Sequence, residues 1–84
     1  MTRITVRYFA SVREALGHAG EEVDTRAGTL AALRDELIAR SPAHAAALAR
    51  GKAVRMALDQ VMSREDATLR EGSEVAFFPP VTGG

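Results

Sequence analysis

The chain has 84 residues, of which 46% are apolar, and its 11 basic side chains balance 11 acidic ones. A chain of this length forms a single domain around one modest core and leaves little room for an enclosed active site. The balanced charge argues against nucleic acid and anionic membranes as partners, and the absence of cysteine excludes disulfides, thiolate nucleophiles and cysteine-based zinc sites.

Residues 3–9 form the first predicted strand, because apolar side chains alternate with polar ones along it. Its apolar face consists of Ile4, Val6 and Tyr8. A short helix is then predicted to begin at Ser11, since Ser11 and Glu14 have the spacing of a capping box and Gly17 suits the helix end. Residues 22–24 form a second short strand, which we expect to pair with the first in a hairpin.

The clearest helix of the chain is predicted between Thr29, its N-cap, and Arg40. Apolar side chains recur at helical spacing on one face, namely Leu30, Leu33, Leu37 and Ile38. Charged side chains are expected to face the solvent, namely Arg34, Asp35 and Arg40. The helix ends near Arg40, because Pro42 disfavours helical geometry at the residue before it.

A second, peripheral helix is predicted after Ser41, which can cap it, and before Gly51. Leu48 is its one sizeable apolar anchor. His44 lies in this alanine-rich segment and His18 lies in a polar one. We therefore expect both histidines to be solvated at the surface rather than to bind a metal ion.

Three further strands are predicted towards the C-terminus. They cover the alternating Val54, Met56 and Leu58, a very short strand at 61–62 after a turn at Asp59-Gln60, and the most apolar strand at 75–78. This order of elements indicates an α+β domain of antiparallel hairpins joined by the main helix, which covers one face of the sheet. The first and last long strands are the most apolar, so we expect them to be central neighbours in the sheet.

No catalytic constellation is visible in the sequence. Gly51-Lys52 lacks the upstream glycine and the downstream hydroxyl of a phosphate-binding loop. The serines lie at predicted caps and turns, where hydroxyls bind backbone amides. Adjacent carboxylates such as Glu21 and Glu22 lie in a polar loop and are interpreted as solvated charge rather than as an acid–base pair.

The most unusual segment is the C-terminus, where the last apolar strand is followed by Pro79-Pro80 and, four residues later, by Gly83-Gly84. The prolines are expected to keep the tail extended and away from the domain. The glycines have no Cβ, so the backbone of another protein can approach the terminal carboxylate closely. This pattern suits a tail that enters a narrow slot in a partner, although two glycines are also harmless at a frayed terminus.

Several segments together resemble one family. They are residues 4–10 with the helix at 12–17, Thr29-Leu30 before the main helix, and residues 69–84. The most specific is the run from Glu74 to Val81 joined to the Gly-Gly end, which alone is also found in ubiquitin and in thiazole-pathway carriers. The chain is similar over nearly its whole length to the MoaD family, the ubiquitin-like sulfur carriers that form the small subunit of molybdopterin synthase. Asp59-Gln60 departs from the Asn-Gly-type turn that such proteins often have.

The resemblance implies a β-grasp domain with a mixed sheet over residues 1–80 and a flexible Gly-Gly tail over residues 81–84. It also implies that a partner adenylyltransferase (MoeB-like) uses ATP to convert the Gly84 carboxylate to an acyl-adenylate. Sulfur from a persulfide donor then displaces AMP and leaves a thiocarboxylate. In the active site of the large synthase subunit (MoaE-like), this sulfur attacks a cyclic pyranopterin phosphate to form molybdopterin. The chain would thus be a non-catalytic, sulfur-donating subunit that binds no cofactor itself.

The same resemblance gives roles to the last residues of the chain. Gly84 carries the reacting group, and the residues expected to enter the partner's active site with it are Gly83, Thr82 and Val81. An apolar docking strip is expected at Phe78, Pro79 and Pro80. Alternation puts Phe77 and Phe78 on opposite faces of the strand and the helix covers only one face, so Phe78 is expected to be exposed. No membrane-spanning run or signal peptide is apparent, so the expected location is the cytoplasm.

Two other interpretations stay open at this point. The chain could be a related β-grasp carrier for thiazole, cysteine or tRNA thiolation, or a ubiquitin-like modifier conjugated to lysines. Thiazole carriers usually lack the double-Phe, double-Pro stem at residues 77–80. Alternatively, it could be a binding module that uses its sheet alone, in which case removal of Gly83 and Gly84 would leave its activity intact.

Overall fold

A computed structural model of the protein describes residues 1–80. The elements follow in the order β1 (Thr2–Tyr8), α1 (Ala10–Leu16), β2 (Gly20–Thr25), α2 (Leu30–Arg40), α3 (Pro42–Leu48), β3 (Arg55–Leu58), β4 (Val61–Met62) and β5 (Glu74–Phe78). The predicted flexible tail, residues 81–84, lies outside the described residues. No helix within residues 1–80 has the length and apolar character needed to cross a membrane.

The sheet is mixed and has five strands in the order β2-β1-β5-β3-β4. β1 pairs antiparallel with β2 and parallel with β5. β5 pairs antiparallel with β3, which forms a hairpin with β4. The first and last long strands are therefore central neighbours, as the sequence predicts, and the α+β class is confirmed.

The core joins the sheet to α2 and α3. Alternate residues of the central strands are buried, namely Ile4, Val6, Tyr8, Val75 and Phe77. From the helices, the side chains buried in the same cluster are Leu30, Leu33, Leu37 and Leu48. Ile38 is only partly buried. The helical face predicted for α2 is thus the face that packs in the core.

Most helix ends agree with the sequence signals. The Thr29 hydroxyl accepts a hydrogen bond from the amide of Ala32, and the Ser41 hydroxyl accepts one from the amide of His44, so both are N-caps. Gly17 has a φ of 84° and ends α1, where an L side chain would be strained. These three residues fix where α1 ends and where α2 and α3 begin.

The predicted capping box at Ser11 is wrong. The amide of Phe9 donates to the carbonyl of Phe77 at 3.1 Å, so pairing with β5 extends one residue beyond β1. The carbonyl of Phe9 accepts from the amides of Val12 and Arg13, and α1 begins at Ala10 without a side-chain cap. Ser11 consequently lies inside the first turn, because the strand leads directly into the helix.

Arg34 was predicted to face the solvent but is buried, with 4% of its surface exposed. Its guanidinium donates to the carbonyl oxygens of Leu48 at 2.7 Å, Ala49 at 2.8 Å and Lys52 at 3.3 Å. These carbonyls lie at and after the end of α3, where no helical amide remains to bind them. The arginine therefore connects α2 to the segment between α3 and β3.

Replacing Arg34 with Met should lower the free energy of unfolding by about 2–4 kcal/mol, because it leaves buried carbonyls without a charged donor. Urea denaturation of the two proteins would measure this. Arg26→Met, which removes an exposed arginine, is the control and should change stability little. Equal stability of Arg34→Met and the unaltered protein would contradict the role of Arg34 in holding this segment.

Candidate functional site at the root of the tail

The C-terminal ends of β1 and β5 lie side by side because these strands are parallel. Tyr8 is the register partner of Phe77. β5 ends at Phe78 and is followed by Pro79 and Pro80, so the last described residues lie at this end of the sheet. We call Phe78, Pro79 and Pro80 the root of the tail.

The two phenylalanines of β5 lie on opposite faces of the sheet. Phe77 is fully buried, and its ring stacks on Tyr8 with 6.2 Å between the centroids. Phe78 points to the face away from the core, in register with Arg55 of β3, and is half-buried rather than exposed. Pro79 and Pro80 are half-buried as well. The root therefore presents an apolar surface that is partly covered by the domain itself.

The sheet face away from the core carries an apolar patch that sequence reasoning missed. Phe9 is 44% exposed and Met62 is 59% exposed. Strand alternation places them on the same face as Phe78 and Ala76. We call Phe9, Met62, Ala76 and Phe78 the open-face patch. The alternation that buries Tyr8 already puts Phe9 on the opposite side, which is the signal that could have found it.

Charged side chains flank the open-face patch. Arg7 pairs with Glu74 at 3.2 Å, and its guanidinium carbon lies 6.0 Å from the centroid of the Phe9 ring. Arg3 pairs with Glu22 at 3.1 Å on the same face. These pairs cross from β1 to its two neighbouring strands. A partner that covers the patch therefore meets apolar side chains beside arginines that are already neutralised in part.

Next to the Tyr8–Phe77 stack, the carboxylate of Glu21 is contacted by three side chains. It accepts hydrogen bonds from the Tyr8 hydroxyl at 2.7 Å and from Arg40 at 3.2 Å, and it lies 2.8 Å from Nε2 of His44. The prediction that Glu21 is a solvated charge is therefore wrong. The prediction of a solvated His44 is also wrong, because His44 is only 8% exposed. His18 is solvated as expected, with 45% of its side chain exposed. The cluster holds the Tyr8 ring against Phe77.

The environment of this cluster shifts two pKa values. Burial raises the pKa of Glu21, but the hydrogen bonds with His44 and Tyr8, together with the electrostatic attraction of His44 and Arg40, outweigh burial and leave the pKa below its ordinary value. Burial, together with the hydrogen bond to Glu21, raises the pKa of Tyr8. Tyr8 therefore remains a neutral donor and Glu21 an ionised acceptor at neutral pH.

Ser41, His44 and Glu21 form a chain of contacts that has the residue types of a hydrolytic triad. The Ser41 hydroxyl lies 2.7 Å from Nδ1 of His44. It already accepts the His44 amide as the cap of α3, and the Glu21 carboxylate already binds Tyr8 and Arg40. The hydroxyl of Ser41 is therefore held in the geometry of a helix cap. These contacts are structural.

Residues 1–80 contain no cysteine, so this part of the chain offers no thiol. Within residues 1–80, no group of three histidine or acidic side chains could hold a metal ion. The residues predicted to react or to enter a partner, namely Val81, Thr82, Gly83 and Gly84, lie outside the described part of the chain. What the structure shows of the candidate site is therefore its root and the surface around it.

A mixed five-stranded sheet with α2 packed across one face defines the ubiquitin-like β-grasp class, which confirms the fold that the sequence resemblance implied. The model of the ThiS family matches residues 6–84. The chain belongs to the ThiS family.

Known proteins similar to this chain include two sulfur carrier subunits and one solved structure. The molybdopterin synthase sulfur carrier subunit of Escherichia coli is 46% identical over 81 residues, covering 96% of this chain and 99% of the relative. The protein of the same name from Haemophilus influenzae is 35% identical over 81 residues, with the same coverage of both chains. The solved structure of a putative molybdopterin converting factor, subunit 1, from Pyrococcus furiosus has a TM-score of 0.81 and is 25% identical, covering 96% of this chain and all of that one.

The lowered pKa of Glu21 makes stability depend on pH in a defined direction. The ionised carboxylate stabilises the fold at pH values above its ordinary pKa of 4.5, and this contribution is lost as the pH falls through the lower pKa of the folded state. We expect the free energy of unfolding to decrease below about pH 4.5, and this part of the decrease to vanish in Glu21→Gln.

Urea denaturation at several pH values would measure this dependence. Glu14→Gln, in an exposed position of α1, is the matched control and should retain the full pH dependence. A Glu21→Gln protein with the same pH dependence as the unaltered one would show that the cluster does not stabilise the charged carboxylate.

Proposed function

We propose that the protein is a sulfur carrier of molybdenum cofactor biosynthesis and acts as the small subunit of a molybdopterin synthase through a thiocarboxylate on Gly84. The observation that carries this proposal is the 46% identity to a molybdopterin synthase sulfur carrier subunit over 96% of the chain. Membership of the ThiS family, whose match extends to residue 84, supports a role for the C-terminus.

The proposed chemistry takes place on the chain terminus. A carboxylate is a poor electrophile, so a partner adenylyltransferase joins the Gly84 carboxylate to the AMP part of ATP and releases pyrophosphate. The terminal sulfur of a persulfide donor attacks the acyl carbon, and AMP leaves. A thiol then reduces the resulting acyl disulfide and frees the thiocarboxylate. None of these steps requires a thiol in this chain, which agrees with the absence of cysteine.

The loaded tail, residues 81–84, then enters the active site of a large synthase subunit, where the sulfur attacks a cyclic pyranopterin phosphate. Acid–base and anion-binding groups for this step belong to the partner, because residues 1–80 offer no suitable set. The protein acts in the cytoplasm and binds no cofactor of its own.

The rigid domain presents the tail and the surface that the partners bind. The root of the tail is fixed to the core through Phe77, which stacks on Tyr8. The half-buried Phe78, together with Pro79 and Pro80, forms the docking strip, and the open-face patch continues it across the sheet. Exposed aromatic side chains beside a functional segment are typical anchors of protein interfaces.

The decisive experiment concerns Gly84. Incubated with an adenylyltransferase of this pathway, ATP and a sulfur source, the intact protein should gain the mass of one oxygen-to-sulfur exchange on its C-terminal peptide. Deletion of Gly84, or addition of one alanine after it, should abolish both this mass change and molybdopterin formation, since the position of the carboxylate is lost. Circular dichroism melting of the same variants should be unchanged.

Two outcomes would contradict the proposal. A lysine-linked adduct with another protein and no thiocarboxylate would indicate a modifier. Full activity after deletion of Gly84 would indicate a binding module that uses only the sheet. Gly83→Val serves as a second variant of unchanged length, and we expect it to be severely impaired because a β-branched side chain clashes in a slot shaped for bare backbone.

Phe77 and Phe78 provide a matched pair for the docking surface. Phe78→Ala should weaken binding to the large subunit measurably and change the melting temperature little, because its side chain is half-buried on the open face. Phe77→Ala should instead lower the free energy of unfolding by about 3–5 kcal/mol, because it removes a fully buried ring. Calorimetric titration and thermal melting would separate the two effects. Unaltered affinity combined with a large loss of stability in Phe78→Ala would refute the docking role.

A further inference from the structure

A partly open cavity of about 230 Å³ lies beside the root of the tail, between α1, α3 and the segment before β3. Pro79 forms part of its wall, and three small side chains leave the space empty, namely Ala15, Ala47 and Ala53. The volume exceeds that needed by a water molecule but is below the range of about 300–1,000 Å³ for small-molecule sites. The cavity therefore suits one apolar side chain of another protein.

The wall formed by the segment between α3 and β3 is fastened to α2 by two arginines. Arg34 donates from inside the domain to three carbonyl oxygens of this segment. Arg50 lies in the segment itself, pairs with Asp35 of α2 at 2.9 Å and donates to the carbonyl of Ala31 at 3.0 Å. Because the domain itself holds this wall in place, the cavity is a preformed feature of the fold.

Two cations flank the root of the tail, one on the side of the cavity and one on the open face. Lys52 lines the cavity together with Pro79. Arg55 is the register partner of Phe78 and shares the open face of the sheet with it. Both cations are exposed, and neither forms an ion pair with an acidic side chain of residues 1–80. A protein that reaches the root meets a positive charge on either side.

The position of these two cations distinguishes them from the other exposed cations that have no ion pair in the described part of the chain. The whole set is Arg13, Arg26, Lys52, Arg55, Arg64 and Arg70. Arg26 directly follows β2 and Arg70 comes shortly before β5, so both lie at the end of the sheet away from the root. Arg13 and Arg64 are each followed in sequence by a glutamate, which offsets their charge.

Acidic side chains are concentrated at the end of the sheet away from the root. Asp24 and Glu71 both contact Arg3 near the start of β1, and Asp59 lies in the turn at the same end. Near the root, the carboxylate of Glu21 is already contacted by three side chains of the domain. The root is therefore an apolar surface flanked by positive charge, and its complement is an apolar side chain flanked by carboxylates.

We propose that the large synthase subunit holds the root from both sides, with an apolar side chain in the alanine-lined cavity and carboxylates facing Lys52 and Arg55. This inference rests on the proposed function, in which the chain assembles with such a subunit. The cavity is continuous with the proposed docking strip, because Pro79 belongs to both. The apolar contact supplies affinity, while the charges around it speed the encounter and fix the orientation.

Calorimetric titration of full-length variants with the large synthase subunit of the same organism tests the two charges. Lys52→Gln and Arg55→Gln should each lower the affinity about two- to fivefold, the range that an exposed ion pair provides. Arg26→Gln and Arg70→Gln remove exposed charges at the other end of the sheet and should leave the affinity unchanged. Added salt should weaken binding of the unaltered protein more than binding of the double variant Lys52→Gln, Arg55→Gln, since the variant has fewer ion pairs to screen.

A second pair of variants tests the cavity. Ala53→Leu fills it from an exposed position, and we expect the affinity to fall at least about tenfold because the partner's side chain loses its burial. Ala46→Leu makes the same change at an exposed position of α3 outside the cavity lining and should leave the affinity unchanged. Thermal melting should show that every variant keeps the fold, so that a loss of affinity reports on the surface.

The unaltered protein is the reference that separates two failures. If it does not bind the large subunit at all, the proposed function and this inference are both wrong. If it binds, but Lys52→Gln, Arg55→Gln or Ala53→Leu binds as tightly as the control variants, the inference is overturned and the proposed function stands. Equal losses in the test and control variants would also overturn it, since the effect would then not depend on the root.

Discussion

The parallel pairing of β1 with β5 is the constraint on which the remaining structure depends. It places Tyr8 beside Phe77, so the aromatic stack that closes one end of the core lies directly under the point where the chain leaves the sheet. It also puts Phe9 next to Phe78 on the opposite face. One pairing thus fixes both the buried support of the tail and the apolar surface around it.

The described domain supports the C-terminal segment, whereas the proposed chemistry takes place on the chain terminus. Its buried polar contacts are satisfied internally: within residues 1–80, every buried side-chain nitrogen and oxygen has a hydrogen-bond partner. Arg34 connects α2 to the segment after α3, and the Glu21 cluster connects β1 and β2 to α2 and α3. A rigid body of this kind gives a short C-terminal segment a defined origin, and the proposed sulfur chemistry then requires only the main-chain terminus and enzymes that act on it.

Local patterns predicted the elements well, because periodicity and capping depend on neighbours in sequence. The caps at Thr29 and Ser41, the left-handed end at Gly17 and the turn at Asp59-Gln60, where both residues have positive φ, are all determined within a few positions. Sequence patterns missed what distant partners determine. Arg34 finds its acceptors 14 to 18 residues away, and His44 meets Glu21 across 23 residues.

The functional assignment had a different basis from the fold. Strand alternation correctly predicted that Phe77 and Phe78 lie on opposite faces of the sheet. It could not predict that Phe78 is only partly exposed, because this depends on packing against other strands. Roles for Val81, Thr82, Gly83 and Gly84 came from resemblance, since nothing in residue periodicity distinguishes a reactive carboxylate from an ordinary chain end. Chemistry at a terminus leaves no constellation of side chains in the sequence.

The pairing of β1 with β5 also has a kinetic consequence, because the register joins Thr5 to Glu74, residues that are 69 positions apart. Contacts between such distant segments slow folding, since the loop between them must close before the contacts form. During synthesis, the β1–β2 hairpin and α2 exist before β5, and β1 keeps an unpaired edge until the last strand is made. The central strand of the sheet is therefore added late. Until then, an incomplete chain exposes the edge of β1, which favours association with other chains.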